Sequence, residues 1–89
     1  MRYVRKAERV MADVFSRVLK DADATLPVAQ ADAKDLLKRG ARRVLVMRTR
    51  IKAPSGVIDF RFFASDILPK DLVVGDVYGP STVVEVHQA

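Results

Sequence analysis

Residues 38–52 concentrate the side chains that are best suited to binding an anion. The stretch reads KRGARRVLVMRTRIK and carries seven Lys or Arg in fifteen positions, with no acidic residue. The net charge of +5 is unevenly placed along the chain. Residues 25–56 hold eight basic and two acidic side chains (+6), whereas residues 57–89 hold two and five (−3). This asymmetry indicates a surface that faces a polyanion, or two surfaces that complement each other between copies.

Side chains suited to catalysis are sparse. There is no cysteine, and the single histidine, His87, lies near the C-terminus, where we expect a frayed surface residue. Nucleophilic catalysis needs a base beside its nucleophile, and His87 is a poor candidate for that base. The acids, such as Asp59 and Asp66, do not have the spacing of metal ligands. We therefore predict a protein without enzymatic activity, metal or cofactor. A metal-independent, toxin-type ribonuclease is the second alternative, since such enzymes work with Arg, Lys and one acid or Tyr.

The length and composition predict a single domain spanning residues 1–89. Of these residues, 49% are apolar and 30% are charged, which is typical of a globular protein and excludes a disordered chain. No apolar run approaches the roughly 20 residues that span a bilayer, and the charged N-terminus does not resemble a signal peptide. We expect a cytoplasmic protein with no membrane association.

Two helices are predicted before any strand. In residues 3–22 apolar side chains recur three or four apart, and further ones widen the apolar sector to about half the circumference. A sector this wide needs covering on more than one side, either by deep burial within the domain or by a homodimer. The predicted dimer interface comprises Tyr3, Val10, Phe15 and Leu19. The second helix is predicted to begin near Pro27 and to end before Gly40, with Val28, Ala29, Ala33, Leu36 and Leu37 as its apolar face. The short connection predicts antiparallel neighbours.

A β-hairpin is predicted next, from strands at 42–52 and 57–64 around the turn APSG. A type I turn beginning at Ala53 pairs Arg48 with Arg61 and Arg50 with Asp59. One face of this hairpin then forms a core of Leu45, Met47, Ile51, Ile58, Phe60, Phe62 and Ala64. The opposite, open face holds Val46, Arg48, Arg50, Lys52, Asp59, Arg61 and Phe63.

A second hairpin is predicted from LVVGDVY and TVVEVHQ, with Val84 and Val86 facing the core and Glu85 and His87 facing outward. The predicted order is therefore α-α-β-β-β-β. We expect an α+β fold in which two N-terminal helices pack on one face of a three- to four-stranded antiparallel sheet.

The open face of the first hairpin is the candidate site. We predict a nucleic-acid contact surface, DNA or RNA, that comprises Arg48, Arg50, Lys52, Arg61, Arg43 and Phe63. Phe63 would stack on an unpaired base, and the like charges of Arg48 and Arg61 would repel across the sheet. The first alternative is a protein-interaction module, an inhibitor, adaptor or assembly protein that docks an acidic partner. A solvated face whose arginine stems cover Val46 and Phe63 would explain the same charges without a ligand.

Overall fold

The computed structural model describes residues 3–5, 24–52 and 54–89, which contain one helix and five strands. The elements are β1 (Tyr3–Arg5), α1 (Leu26–Lys38), β2 (Arg43–Lys52), β3 (Ile58–Ser65), β4 (Val77–Tyr78) and β5 (Ser81–Gln88). The strands form one sheet in the order β1-β4-β5-β2-β3, in which β1 runs parallel to β4 and the other neighbours are antiparallel. The mixture of helix and largely antiparallel sheet confirms the α+β class, but the sheet is five-stranded and mixed.

The first predicted helix does not begin at residue 3. Residues Tyr3–Arg5 form β1, where Tyr3 pairs with Val77 and Arg5 with Tyr78. Tyr and Val favour extended backbone, and pairing with the otherwise open edge of β4 overrides the helical pattern of the sequence. The remainder of the predicted helix, residues 6–22, lies outside the described residues. Only one of the two predicted helices, α1, is therefore described.

Helix α1 begins and ends where Pro27 and Gly40 predict. Pro27 occupies the first turn, where its missing N–H leaves no hydrogen bond unmade. At the other end the N–H of Gly40 donates to the carbonyl of Leu37 at 3.1 Å, and the N–H of Ala41 donates to that of Leu36 at 3.0 Å. Gly40 has φ +108°, so this pair of bonds is a Schellman motif closed by a left-handed glycine.

We expect Gly40→Ala to lower the free energy of unfolding by about 1–2 kcal/mol, because a Cβ disfavours positive φ. Apart from Gly40 and its chain neighbours, no atom of the described residues lies within 4 Å of the added Cβ, so the loss reports backbone conformation. Urea denaturation measures it. Gly40→Asn should lose less, since Asn tolerates this region, and equal losses for Ala and Asn would contradict the explanation.

The predicted register of the first hairpin is wrong by one residue. Arg48 pairs with Phe62 and Arg50 with Phe60, rather than with Arg61 and Asp59. The loop between the last pair, Lys52 and Ile58, has five residues rather than four, and Gly56 within it adopts φ +87°. A left-handed residue after a turn adds one residue to the hairpin connection. The slip moves every β3 side chain to the face opposite the one predicted.

Both faces of the sheet are buried at its centre. On one face Val44 and Val46 pack with Ala29 and Ala33 of α1, together with the partly buried Phe62 and Ala64. On the other face a second cluster comprises Leu45, Met47, Phe63, Leu68, Leu72, Tyr78 and Val83. The segment 66–76, which connects β3 to β4, supplies Leu68 and Leu72 and so covers this second face. The four consecutive residues 44–47 of β2 are each at most 3% exposed.

The second hairpin is present but shorter than predicted, since only Val77 and Tyr78 of LVVGDVY form a strand. An irregularity in β5 places Val46 opposite Glu85 and Met47 opposite Val83, so Val84 and Val86 pack against different clusters. Glu85 and His87 do not face outward as free side chains. Glu85 accepts one hydrogen bond from Gln30 of α1 at 2.5 Å and contacts Nε2 of His87 at 2.7 Å. His87 pairs with Val44 in the sheet and is not frayed.

Candidate anion-binding face

Arg48, Arg50 and Lys52 follow one another at alternate positions of β2 and are all exposed. They continue the face on which α1 packs, beyond its contacts with Val44 and Val46 and toward the hairpin loop. The β3 residues paired with Arg50 and Lys52 are Phe60 and Ile58, which are 41% and 40% exposed. We call these five residues the basic face.

Phe60 is the aromatic side chain of this face. The guanidinium carbon of Arg48 lies 4.9 Å from the centroid of the Phe60 ring, which is a cation–π contact between diagonal neighbours of the two strands. The predicted register, which is wrong by one residue, placed Phe60 in the core. The left-handed preference of Gly56 in APSG was the signal that could have corrected it.

Two of the predicted contact residues do not lie on the basic face, because the true register differs from the predicted one by one residue. Phe63 is 7% exposed and packs in the second cluster with Leu45 and Met47, so it presents no ring for base stacking. Arg61 pairs with Thr49 and belongs to the opposite face. The predicted repulsion between Arg48 and Arg61 is therefore wrong.

Arg61 and Asp59 instead close the outer edge of β3. The carboxylate of Asp59 accepts the Phe60 N–H at 2.8 Å and one guanidinium N–H of Arg61 at 2.7 Å. Arg61 also donates to the Phe60 carbonyl at 3.1 Å. Farther along, the Phe62 N–H donates to the carbonyl of Ala24 at 2.8 Å. The side chains of Asp59 and Arg61 and the carbonyl of Ala24 thus occupy backbone groups that an edge strand would otherwise offer to another chain.

The hydrogen bond from Arg61, and then that from the Phe60 N–H, lower the pKa of Asp59 below its ordinary value of 3.8. A lowered pKa means that the contribution of the carboxylate is complete above the unfolded-state pKa. It is lost only as the pH falls through the folded-state value. The edge closure therefore operates throughout the neutral range.

We expect Asp59→Ala to form larger assemblies than the wild type at equal concentration, because the substitution frees the N–H of Phe60 for pairing with a second chain. Sedimentation velocity between about 10 and 200 μM measures this at neutral pH. Asp32→Ala removes an exposed acid of α1 with the same change in net charge and serves as the matched control. An unchanged sedimentation coefficient for Asp59→Ala would contradict a protective role.

Arg43, the remaining predicted contact residue, lies away from the basic face. Its guanidinium donates to the carbonyl oxygens of Lys70 and, at 2.6 Å, Leu72. These bonds fasten the connecting segment 66–76 to the beginning of β2, on the same side as Leu45.

The acids of the C-terminal half do not neutralise the basic face. Glu85 is engaged by Gln30 and His87, and the hydrogen bonds from His87 and then Gln30 lower its pKa. Asp76 is buried and accepts the N–H of Val73 at 3.0 Å. Within the described residues, no salt bridge reaches Arg48, Arg50 or Lys52.

The predicted dimer interface falls almost entirely outside the described part of the chain. Tyr3 lies in β1, and Val10, Phe15 and Leu19 are not among the described residues. Self-association remains a prediction. In the ranges 24–52 and 54–89 the side chains form no group of three or more potential metal ligands.

Helix α1 has 13 residues. No helix in the described part of the chain is both long enough and apolar enough to cross a bilayer. Comparisons of the chain with protein-family models, with curated proteins and with solved structures found no match.

Proposed function

We propose that this protein binds single-stranded nucleic acid through the basic face and acts by binding rather than catalysis. The observation that carries the proposal is the row of three exposed cations, Arg48, Arg50 and Lys52, beside an exposed aromatic ring. Within the two strands of the hairpin, β2 and β3, no carboxylate lies on this face, because the register places Asp59 on the other side.

The spacing of the cations suits a polyanion. Alternate residues of a strand lie about 6.8 Å apart, and neighbouring unit charges at that distance repel by about 0.6 kcal/mol in water. A chain of phosphates laid along β2 would replace this repulsion with attraction and release condensed counterions. Arginine suits the role, because its planar fork of donors matches phosphate oxygens.

Phe60 adds a contact that phosphate binding alone does not need. A base can stack on the exposed ring, or on the guanidinium plane of Arg48 that covers part of it. Base–aromatic stacking tolerates any sequence, because every base has a π-face. A single strand offers unstacked bases, whereas a duplex does not, and this favours single-stranded DNA or RNA as the ligand.

A salt titration tests the proposal. Binding to a fluorescein-labelled oligothymidylate and to oligouridylate is measured by anisotropy between 50 and 300 mM NaCl. Three phosphate contacts predict a slope of log K against log [salt] of about −2 for a single strand. A slope near zero, or no binding at 50 mM NaCl, would contradict the proposal.

We expect Phe60→Ala to weaken binding by about 5- to 150-fold, equivalent to the loss of one stacked base (about 1–3 kcal/mol), while the salt slope stays the same. Ile67→Ala is the matched control, because Ile67 is also exposed (61%) but lies in the segment 66–76. Anisotropy at fixed salt measures both variants. Equal affinities for the two variants would rule out stacking on Phe60.

A protein partner is the second candidate, and the exposed apolar side chains of the hairpin favour it. Val57 (63% exposed) and Ile58 lie at the loop end of the hairpin that also carries Phe60 and Arg48, and such a mixture of exposed apolar and arginine side chains is typical of protein interfaces. Binding to an acidic protein surface should show a shallower salt dependence than binding to phosphates. Failure to bind either oligonucleotide would favour this alternative.

The ribonuclease alternative makes a distinct prediction. His87 and Glu85 form an acid–base pair, but His87 pairs with Val44, at the opposite end of β2 from Lys52. Incubation of labelled oligouridylate with stoichiometric protein, followed by denaturing electrophoresis, should leave the RNA intact. Cleavage that disappears in a variant of the basic face would instead favour the nuclease.

A further inference from the structure

A pocket of about 480 Å³ opens where β2 begins, on the face of the sheet opposite the basic face. The connection between α1 and β2, the first residues of β2, and the end of β3 with the segment after it line the pocket. Its volume lies within the range of sites for small organic molecules. The pocket takes no part in the proposed binding of nucleic acid.

The lining combines positive charge with an apolar surface. The lining includes three cations and one carboxylate, so it carries a net charge of +2; these residues are Arg42, Arg43, Lys70 and Asp66. Leu45 and Leu68 belong to the second core cluster and present apolar atoms to the same space.

Arg43 is held in the wall of the pocket by the connecting segment. Two of its guanidinium nitrogens donate to the carbonyls of Lys70 and Leu72, whereas its Nε is buried without a hydrogen-bond partner among the described residues. Carbonyl oxygens orient a guanidinium but carry no charge that would offset it. A buried donor without a partner is costly in free energy, and an anion in the pocket that Arg43 lines would offset the positive charge of the guanidinium.

We propose that this pocket binds a small organic anion, a phosphate or carboxylate attached to an apolar group. The anionic end of the ligand lies toward Arg43. Arg42 and Lys70 supply further positive charge near it, and the hydroxyl of Ser65, which also lines the pocket, can donate a hydrogen bond. The apolar end packs against Leu45 and Leu68. Charged hydrogen bonds orient the ligand, and burial of its apolar part supplies the remaining affinity.

Titration of ¹⁵N-labelled protein with phenyl phosphate, followed by amide chemical shifts, tests the proposal. We expect saturable shifts confined to residues 40–45 and 65–70. Benzoate should bind at the same place, and inorganic phosphate and benzyl alcohol should each bind at least tenfold more weakly. Binding of either half-probe as tightly as phenyl phosphate would overturn the proposal, as would shifts that do not saturate.

Paired variants locate the contact. Arg42→Gln/Lys70→Gln removes two exposed cations of the pocket and should weaken phenyl phosphate binding at least tenfold, with the remaining amide spectrum unchanged. Arg48→Gln/Arg50→Gln removes two cations of the basic face and should bind phenyl phosphate as the wild type does. Equal weakening in both pairs would mean a general charge effect and would also overturn the pocket proposal. The second pair separates the two proposals, since only nucleic-acid binding depends on Arg48 and Arg50.

Discussion

Replacing both Arg48 and Arg50 with glutamate is expected to lower the affinity for single-stranded nucleic acid by at least about 100-fold. Each lost charge-assisted hydrogen bond contributes about 1.5 kcal/mol or more, and the two introduced carboxylates repel the phosphates. The salt slope should fall from about −2 to about −0.7, which corresponds to the one remaining contact at Lys52. Anisotropy over the same range of NaCl concentrations measures both quantities.

The fold of this variant should remain intact, because Arg48 and Arg50 are exposed and lie outside both core clusters. Lys34→Glu/Lys38→Glu is the matched control: it changes the net charge equally but places the reversal on exposed positions of α1. Retention of affinity by the control and its loss in Arg48→Glu/Arg50→Glu would locate binding on the basic face. Equal losses would indicate that only the net charge matters, and unchanged binding would remove the basic face as the contact surface.

Replacing Leu72 with alanine is expected to lower the free energy of unfolding by about 2–5 kcal/mol. Leu72 has no exposed surface and packs in the second core cluster with Met47 and Tyr78, although it lies in no helix or strand. Small domains are stable by only about 5–15 kcal/mol, so this loss should appear as a large decrease in the urea midpoint.

Val74→Ala is the control for Leu72→Ala, because Val74 lies two residues away in the same segment but is 61% exposed. Its effect should be within about 0.5 kcal/mol. The hydrogen bond from the Arg43 guanidinium to the Leu72 carbonyl can form in both variants, so the comparison isolates the buried side chain. Losses of similar size in the two variants would contradict the role of segment 66–76 as a cover for the sheet.

The register error shows where side-chain alternation stops being informative. Alternation selects one register when one face of a strand is buried and the other is exposed. In β2 the residues Val44–Met47 are buried on both faces, so each register placed apolar side chains of β3 against apolar neighbours. The continuous run Val-Leu-Val-Met was itself the signal of a strand covered on both sides. The additional loop residue then decided the pairing.

The site changed with the register. Arg48, Arg50 and Lys52 share one exposed face as predicted, because their alternation along β2 does not depend on the partner strand. Which β3 residues join them depends entirely on the pairing. The slip by one residue replaced Arg61 and Phe63 with Phe60 and Ile58, and it brought Asp59 and Arg61 together at the edge.

The sequence alone determined the elements that depend on neighbouring residues. Pro27 and Gly40 mark the beginning and the end of α1, because a missing N–H and a left-handed φ act within a few residues of the chain. The alternation of apolar side chains located β2 and β3. The tertiary structure alone decided features that depend on distant contacts. These are the parallel pairing of β1 with β4, the cover of the second sheet face by Leu68 and Leu72, and the pocket beside Arg43. Each joins residues more than twenty positions apart, and their free energy comes from burial and pairing that no local pattern records.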